Sequence, residues 1–164
     1  EAFAYLIEYF SQVEEPTMIV MFGDHQAAIE TEFYEKLYGK SLKELSPQEA
    51  DRQYVTPLVI WTNYEIEEKQ IETISANYLG SMILELANLE LTGYNEFLLS
   101  AWEEVPVLGK NGYYLKDGSY IPWSSKMEEP DILKRYRLLE YNYVADRRHR
   151  LDALFRLNLD LQEE

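Results

Sequence analysis

An aspartate and a histidine stand side by side at positions 24 and 25, directly after the apolar run PTMIVMF and the glycine Gly23. A carboxylate oxygen and an imidazole nitrogen are suitable ligands for zinc or manganese. Neighbouring strand residues point to opposite faces, so Asp24 and His25 can share an ion only if the backbone bends there. Gly23 supplies the conformational freedom for such a bend. Because a zinc site takes three or four ligands from a protein, two residues form only part of one.

The same pair also has a structural interpretation. An aspartate at the end of a strand often caps the following turn or helix, and a histidine beside it is then a polar surface residue. Short motifs also match by chance. The residues by themselves therefore favour the structural interpretation of Asp24 and His25, with a metal site as the alternative.

Other residues that carry chemistry lie in weaker patterns. His149 lies in the basic run DRRHR, which could hold a phosphate but is more typical of a solvated helix face. The paired acids at 67–68 and 103–104 are typical of surface positions, although paired carboxylates can also do acid/base catalysis. Asn63 suits either a cleft or a turn. The sequence has no GxSxG, no glycine-rich phosphate loop and no HExxH that would indicate another enzyme class.

Composition excludes several kinds of partner. The 164 residues carry a net charge of −15, which repels nucleic-acid phosphates and anionic lipid surfaces. The absence of cysteine excludes disulfides and thiolate metal sites. No apolar run approaches the roughly 20 residues that a membrane helix needs, so no transmembrane segment is predicted in this chain. The sequence predicts a chain that is itself soluble and does not bind nucleic acid.

Hydrophobic periodicity in the first half predicts alternating helices and strands. Helices are predicted over residues 2–13, 30–38, from 47 onward and from 76 to about 89, and strands over 17–22 and 54–63. Both strands are continuous apolar runs, typical of a parallel sheet covered on both faces. This order predicts an α/β fold with parallel strands and crossover helices. Sites in such folds lie at the carboxyl ends of the strands, where Asp24 and His25 occur.

The second half has a different character. Residues 95–103 are predicted to be helical, and further helices are predicted from Pro130 onward and around 151–155. Two aromatic runs flank Asp117 and Gly118, which is a strong hairpin signal over residues 112–123. An aromatic hairpin could bind sugar or a partner protein, but packing against the last helices is the more typical role. Its aromatic residues are Tyr113, Tyr114, Tyr120 and Trp123.

Four stretches together resemble the end of a bacterial sulfatase-like protein. They are PTMIVMFGDHQ, YVTPLVIWTNYEIEE, ISANYLGSMILELANLELTGYNEFL and NGYY, which span most of the chain. The closer resemblance is to the lipoteichoic acid synthase and phosphoglycerol transferase group of the alkaline phosphatase superfamily. The Gly-Asp-His strand end is the most specific short motif, and Ala27 stands where family members often carry proline.

The resemblance implies a fold, a domain boundary and a partial site. Residues 1–93 would be the terminal part of an alkaline-phosphatase-like catalytic domain, and 94–164 a helical extension with a β-hairpin. Asp24 and His25 would be ligands of a divalent metal, commonly manganese, with magnesium, calcium or zinc as alternatives. The family's threonine nucleophile, glutamate ligand, and arginine and histidines for substrate lie upstream, so no catalytic residue is assigned here. The chain alone is expected to be inactive and to bind metal weakly or not at all.

The resemblance also implies an activity and a location. The parent protein would transfer glycerophosphate from a phosphatidylglycerol-like lipid to a cell-envelope acceptor. It would be anchored in a bacterial membrane, with its catalytic domain outside the cell. A sulfatase or phosphatase acting on sulfate or phosphate esters is the first alternative, and a non-enzymatic interaction module is the second. The upstream part of the same domain is the expected partner, and an open sheet edge makes self-association of the chain plausible.

Overall fold

The computed structural model of the chain describes residues 1–68, 70–146 and 148–157. These residues form two compact units, Glu1–Gln70 and Ile71–Glu164. We call them the N-terminal unit and the C-terminal unit. The boundary predicted between residues 93 and 94 concerns the extent of a sulfatase-like domain, and it stays a prediction.

The N-terminal unit contains the helices and strands that the periodicity predicts, with ends that differ by up to four residues. They are α1 (Ala2–Phe10), β1 (Met18–Phe22), α2 (Thr31–Tyr38), α3 (Pro47–Asp51) and β2 (Leu58–Thr62), with short 3₁₀ turns at Leu42–Glu44 and Arg52–Tyr54. The predicted start of α3 is confirmed, because Ser46 and Glu49 form a reciprocal capping box. Lys40 donates to both carboxylate oxygens of Glu49 at 2.8 Å and is the main reason that the pKa of Glu49 falls to about 2.

The α/β class is confirmed, but the predicted parallel pairing of the two strands is wrong. β1 and β2 run antiparallel, with Met18 opposite Thr62 and Phe22 opposite Leu58. The helices between them do not form a crossover, since the chain returns to the same end of β1 that it left. An unbroken apolar run indicates that a strand is apolar on both sides, and it carries no information on strand direction.

Neither strand is covered on both faces by the residues of this unit. Met21, Phe22 and Val59 keep 40%, 56% and 39% of their surface exposed. No described residue between positions 1 and 70 is buried. The continuous apolar runs therefore leave an uncovered sheet surface here, of the kind that further protein usually covers.

The C-terminal unit holds the buried core. Its elements are α4 (Ala76–Leu86), α5 (Gly93–Glu104), β3 (Val107–Leu108), β4 (Gly112–Tyr114), β5 (Tyr120–Pro122), α6 (Asp131–Val144) and a 3₁₀ turn at Asp152–Leu154. The predicted hairpin is confirmed as β4 and β5, and Gly118 at its turn has a φ of +81°. β3 pairs with β4, which gives an antiparallel sheet in the order β3-β4-β5. In the described ranges no helix is long and apolar enough to cross a membrane.

Helices and hairpin meet in one hydrophobic cluster. The cluster consists of Tyr78, Leu98, Ala101, Val105, Tyr113, Ile121, Ile132 and Leu133. Gly112 permits the close approach of β4 to β5, because a Cβ there would lie 2.5 Å from the carbonyl oxygen of Ile121. The Ser75 side chain joins α4 to the sheet by accepting the Leu108 N–H at 2.6 Å.

Candidate metal centre

Asp24 and His25 lie in a bend directly after β1, as the sequence predicts. The role of Gly23 differs from the predicted one, because its φ is not positive. A Cβ at this position would lie 2.9 Å from the Cβ of Thr56. Gly23 is therefore required for the close approach of two backbone segments, rather than for an unusual backbone conformation.

The segment that precedes β2 holds this bend in place. The Gly23 N–H donates to the Pro57 carbonyl at 3.1 Å, and the Thr56 hydroxyl donates to the Gly23 carbonyl at 2.8 Å. The Gln26 side-chain amide donates to the Val55 carbonyl. Sequence reasoning missed these contacts, since no local pattern links residues that lie about thirty positions apart.

The carboxylate of Asp24 and the imidazole of His25 face each other. Oδ2 of Asp24 lies 3.3 Å from Nε2 of His25, and the two side chains are 83% and 76% exposed. The other carboxylate oxygen, Oδ1, accepts the His25 backbone N–H at 2.8 Å. Nδ1 of His25 lies 2.8 Å from the Gln26 carbonyl oxygen. Both side chains are thus oriented by backbone groups and remain open to a ligand.

These contacts determine which atom of His25 is available to a cation. A carbonyl oxygen only accepts hydrogen bonds, so Nδ1 must carry the proton in its contact with Gln26. In the neutral imidazole, Nε2 then presents a lone pair towards the Asp24 carboxylate. Oδ2 and Nε2, 3.3 Å apart, can therefore both face one bound cation.

The distances fit a shared metal ion. Tetrahedral bonds of about 2.0–2.1 Å place neighbouring ligand atoms roughly 3.3–3.4 Å apart. A ligating histidine also usually donates its second ring N–H to a carbonyl or carboxylate, which is the contact that Nδ1 makes with Gln26. The spacing and orientation of Asp24 and His25 therefore suit two ligands of one tetrahedral divalent cation such as zinc.

The pair supplies only part of a coordination shell. Within the ranges that the structure describes, no group of three or more His, Cys, Asp or Glu side chains could hold a metal ion. A complete site of three or four protein ligands would need further residues from outside these ranges.

The second histidine lies in a different environment from the one predicted. His149 follows the end of α6 rather than lying on a helix face, and its Nδ1 is 3.1 Å from an Asp146 oxygen. In the same run, Arg150 lies over the Tyr143 ring at 4.3 Å and pairs with Asp152 at 3.2 Å. The arginine is thus used in packing, which supports the structural interpretation of this run.

The paired acids are surface residues, as the sequence indicates. Glu67, Glu68, Glu103 and Glu104 are all exposed.

Asn63 is a structural residue and does not line a cleft with Asp24. Its side-chain amide faces the carbonyls of Phe10, Val13 and Glu15 at 2.9–3.2 Å, and its Oδ1 accepts the Thr17 N–H at 2.7 Å. Because β1 and β2 are antiparallel, Asn63 lies beside the start of β1, at the opposite end from the Asp-His bend. Sequence reasoning left its role open, since only tertiary contacts decide between a cleft and a structural position.

Replacing Asn63 with alanine should destabilise the N-terminal unit by about 1–3 kcal/mol, because several backbone groups lose their partner. Chemical denaturation followed by the fluorescence of Trp61, the tryptophan of β2, measures this loss. The matched control is Gln12→Ala, an exposed polar side chain of the same region. Equal unfolding midpoints for the two variants would show that Asn63 does not join α1 to the strands.

Comparison with known proteins shows the family to which the chain belongs. The sulfatase family matches residues 1–89, more than half of the 164 residues, and the chain belongs to this family. The chain is also 28% identical over 160 residues to a protein of Rhizobium meliloti (strain 1021), whose provisional name is cyclic beta-1,2-glucan modification protein. The alignment covers 95% of this chain and 25% of the relative, so the chain spans about a quarter of that protein's length. No solved structure matches significantly.

Proposed function

We propose that Asp24 and His25 are two metal ligands in the active site of a metal-dependent phosphotransferase. The proposed enzyme transfers glycerophosphate from a phosphatidylglycerol-like lipid to a glycan of the bacterial cell envelope, with its catalytic domain outside the membrane. Membership of the sulfatase family and the name of the Rhizobium meliloti relative support this proposal. The observation that carries it is the contact of 3.3 Å between Oδ2 of Asp24 and Nε2 of His25.

In this proposal the bend keeps two donor atoms ready for the cation. Gln26 holds the Nδ1 proton of His25 and so leaves Nε2 available, while Thr56 fixes the backbone at Gly23. When bound, a divalent metal supplies positive charge that favours an oxygen nucleophile and offsets charge on phosphoryl oxygens. We propose manganese as the ion, with magnesium, calcium or zinc as alternatives. Protons compete with the metal for Nε2, so acid should weaken binding.

The family description favours a second candidate, the hydrolysis of sulfate or phosphate esters. The two activities differ in the acceptor, which is a sugar hydroxyl in transfer and water in hydrolysis. Analysis of the products distinguishes them. Transfer yields a glycan that carries glycerophosphate, together with a diacylglycerol. Hydrolysis instead releases free sulfate or phosphate into solution.

The metal proposal can be tested on this chain with paramagnetic Mn²⁺ in NMR. We expect weak binding, without submicromolar affinity, because the described residues contain only part of a site. The broadening of NMR signals by Mn²⁺ should be strongest at residues 24–26, and it should disappear in the variants Asp24→Asn and His25→Gln. The second Asp-His pair, Asp146 and His149, provides a control with a similar contact distance of 3.1 Å and a less exposed aspartate, 28% against 83% for Asp24.

Preferential broadening at residues 24–26 supports the proposal. Equal broadening at the two Asp-His pairs would show that Mn²⁺ only follows exposed acidic groups. Broadening that persists in both His25→Gln and Asp24→Asn would equally overturn the assignment. These outcomes do not depend on the catalytic activity of the protein.

A further inference from the structure

A second candidate site lies in the C-terminal unit, around the side chain of Trp123. Two clefts, with volumes of 180 and 210 Å³, adjoin there and share Trp123 and Arg137. We call them together the Trp123 groove. It is lined by Leu108, Tyr113, Ile121, Pro122, Trp123, Ser125, Met127, Glu129, Leu133, Tyr136, Arg137 and Glu140. Aromatic walls with a few polar groups are typical of sites for small ligands.

The indole of Trp123 is held in position but remains accessible. Its Nε1–H donates to the Gly109 carbonyl at 3.1 Å, and the Tyr113 ring packs against it at 5.0 Å. The residue still has 41% of its surface exposed. The indole N–H is thus already satisfied by the protein, so the exposed part of the ring offers an apolar surface rather than a donor.

Arg137 adds polar groups beside this apolar surface. Its guanidinium lies 5.7 Å from the centre of the Trp123 ring and makes a two-pronged contact with Glu129 at 2.6 and 2.8 Å. Glu129 is only 19% exposed at its side chain, whereas Arg137 is 59% exposed. The ion pair with Glu129 therefore fixes the position of Arg137, while part of the guanidinium remains accessible to a ligand.

The charges in the groove disfavour an anionic ligand. The single positive charge of Arg137 is opposed by Glu129 and Glu140, so the lining has no excess positive charge. An anionic ligand would gain little here, particularly on a chain with a net charge of −15. A ligand that has both apolar faces and many hydroxyl groups can instead place an apolar face on the indole. Its hydroxyl groups can then accept hydrogen bonds from Arg137 and donate them to Glu129.

We propose that the Trp123 groove binds a neutral gluco-oligosaccharide, the chemical class of the acceptor in the proposed function. Each cleft is smaller than the roughly 300 Å³ of the smallest common small-molecule pockets, so each would hold about one sugar ring. The choice of a glucan rests on the proposed function, because the Rhizobium meliloti relative is named for cyclic beta-1,2-glucan modification. The exclusion of an anionic ligand rests only on the groove.

The test is a titration of the chain with a linear, neutral β-1,2-linked glucan oligosaccharide, without metal or phospholipid. Calorimetry measures the affinity, and NMR follows the indole N–H signals of the three tryptophans. We expect the signal of Trp123 to shift while those of Trp61 and Trp102 do not. Arg137→Gln should weaken binding roughly tenfold, since a hydrogen bond to a charged group is lost.

Arg135→Gln is the matched control, because Arg135 is an exposed arginine of the same helix and the change in charge is identical. It should leave the affinity unchanged. The conservative variant Trp123→Phe should retain a measurable part of the binding, whereas Trp123→Ala should abolish it. Circular dichroism of each variant verifies that the fold is retained.

Three results would overturn the proposal. They are equal weakening by Arg137→Gln and Arg135→Gln, preferential binding of glycerol phosphate over the glucan, and a glucan response confined to Trp61 or Trp102. Saturable binding of a proline-rich peptide in place of the glucan would mean that the groove is a protein-docking surface. Because the titration contains no metal, its failure would leave the Asp24 and His25 assignment to be decided by its own experiment.

Discussion

Replacement of His25 by glutamine should reduce the activity of the full-length protein by more than roughly 100-fold. Loss of a residue that only supports a ligand typically costs 10–100-fold in metal affinity or activity, and His25 is proposed to be a ligand itself. Glutamine keeps a polar side chain of similar length but lacks the imidazole nitrogen that faces Asp24 at 3.3 Å. The measurement is the rate of glycerophosphate transfer to a glucan acceptor at several Mn²⁺ concentrations.

The dependence on metal separates ligation from a structural role. A lost ligand should raise the Mn²⁺ concentration needed for half of the remaining activity, whereas a merely unstable variant should show an unchanged requirement. His149→Gln serves as the control, because His149 is equally exposed and also pairs with an aspartate. Full activity of the His25→Gln variant would exclude His25 from the metal site.

Replacement of Leu133 by alanine should destabilise the C-terminal unit by about 2–5 kcal/mol, which is the usual cost of deleting a large side chain from a core. Leu133 is 2% exposed and belongs to the cluster in which the helices meet the hairpin. Because a domain of this size is stable by only about 5–15 kcal/mol, the loss is a large part of its stability. Urea denaturation, followed by circular dichroism, measures the difference.

Leu138→Ala is the matched control on the same helix, since Leu138 is 68% exposed. A surface change of this kind is expected to cost less than about 0.5 kcal/mol. Similar losses for the two variants would mean that α6 does not pack on the hairpin through Leu133. A change in the denaturant slope would instead show that the compactness of the denatured state, or the two-state character of unfolding, had changed.

Features that depend on neighbouring residues were predictable from the sequence. The Ser46 capping box and the Asp117-Gly118 hairpin turn are present where their local patterns place them. Both features depend on contacts between residues a few positions apart, so the local sequence is enough to predict them. The bend at Asp24 and His25 is also present where the sequence predicts it, although the contacts that hold it come from residues about thirty positions away.

Two features were decided only by the tertiary structure. They are the relative direction of β1 and β2, and the long-range hydrogen bonds that hold the Asp24-His25 bend and the start of β1. The parallel pairing was wrong because apolar content reports burial and does not report direction. The contacts of Gly23 with Thr56, and of Asn63 with the end of α1, join residues that are 33 and about 50 positions apart. The sequence alone therefore determined which two residues are the candidate ligands, and the folded chain determined that Oδ2 and Nε2 face each other. The reason is that local patterns constrain backbone conformation, whereas the meeting of distant segments depends on how the whole chain packs.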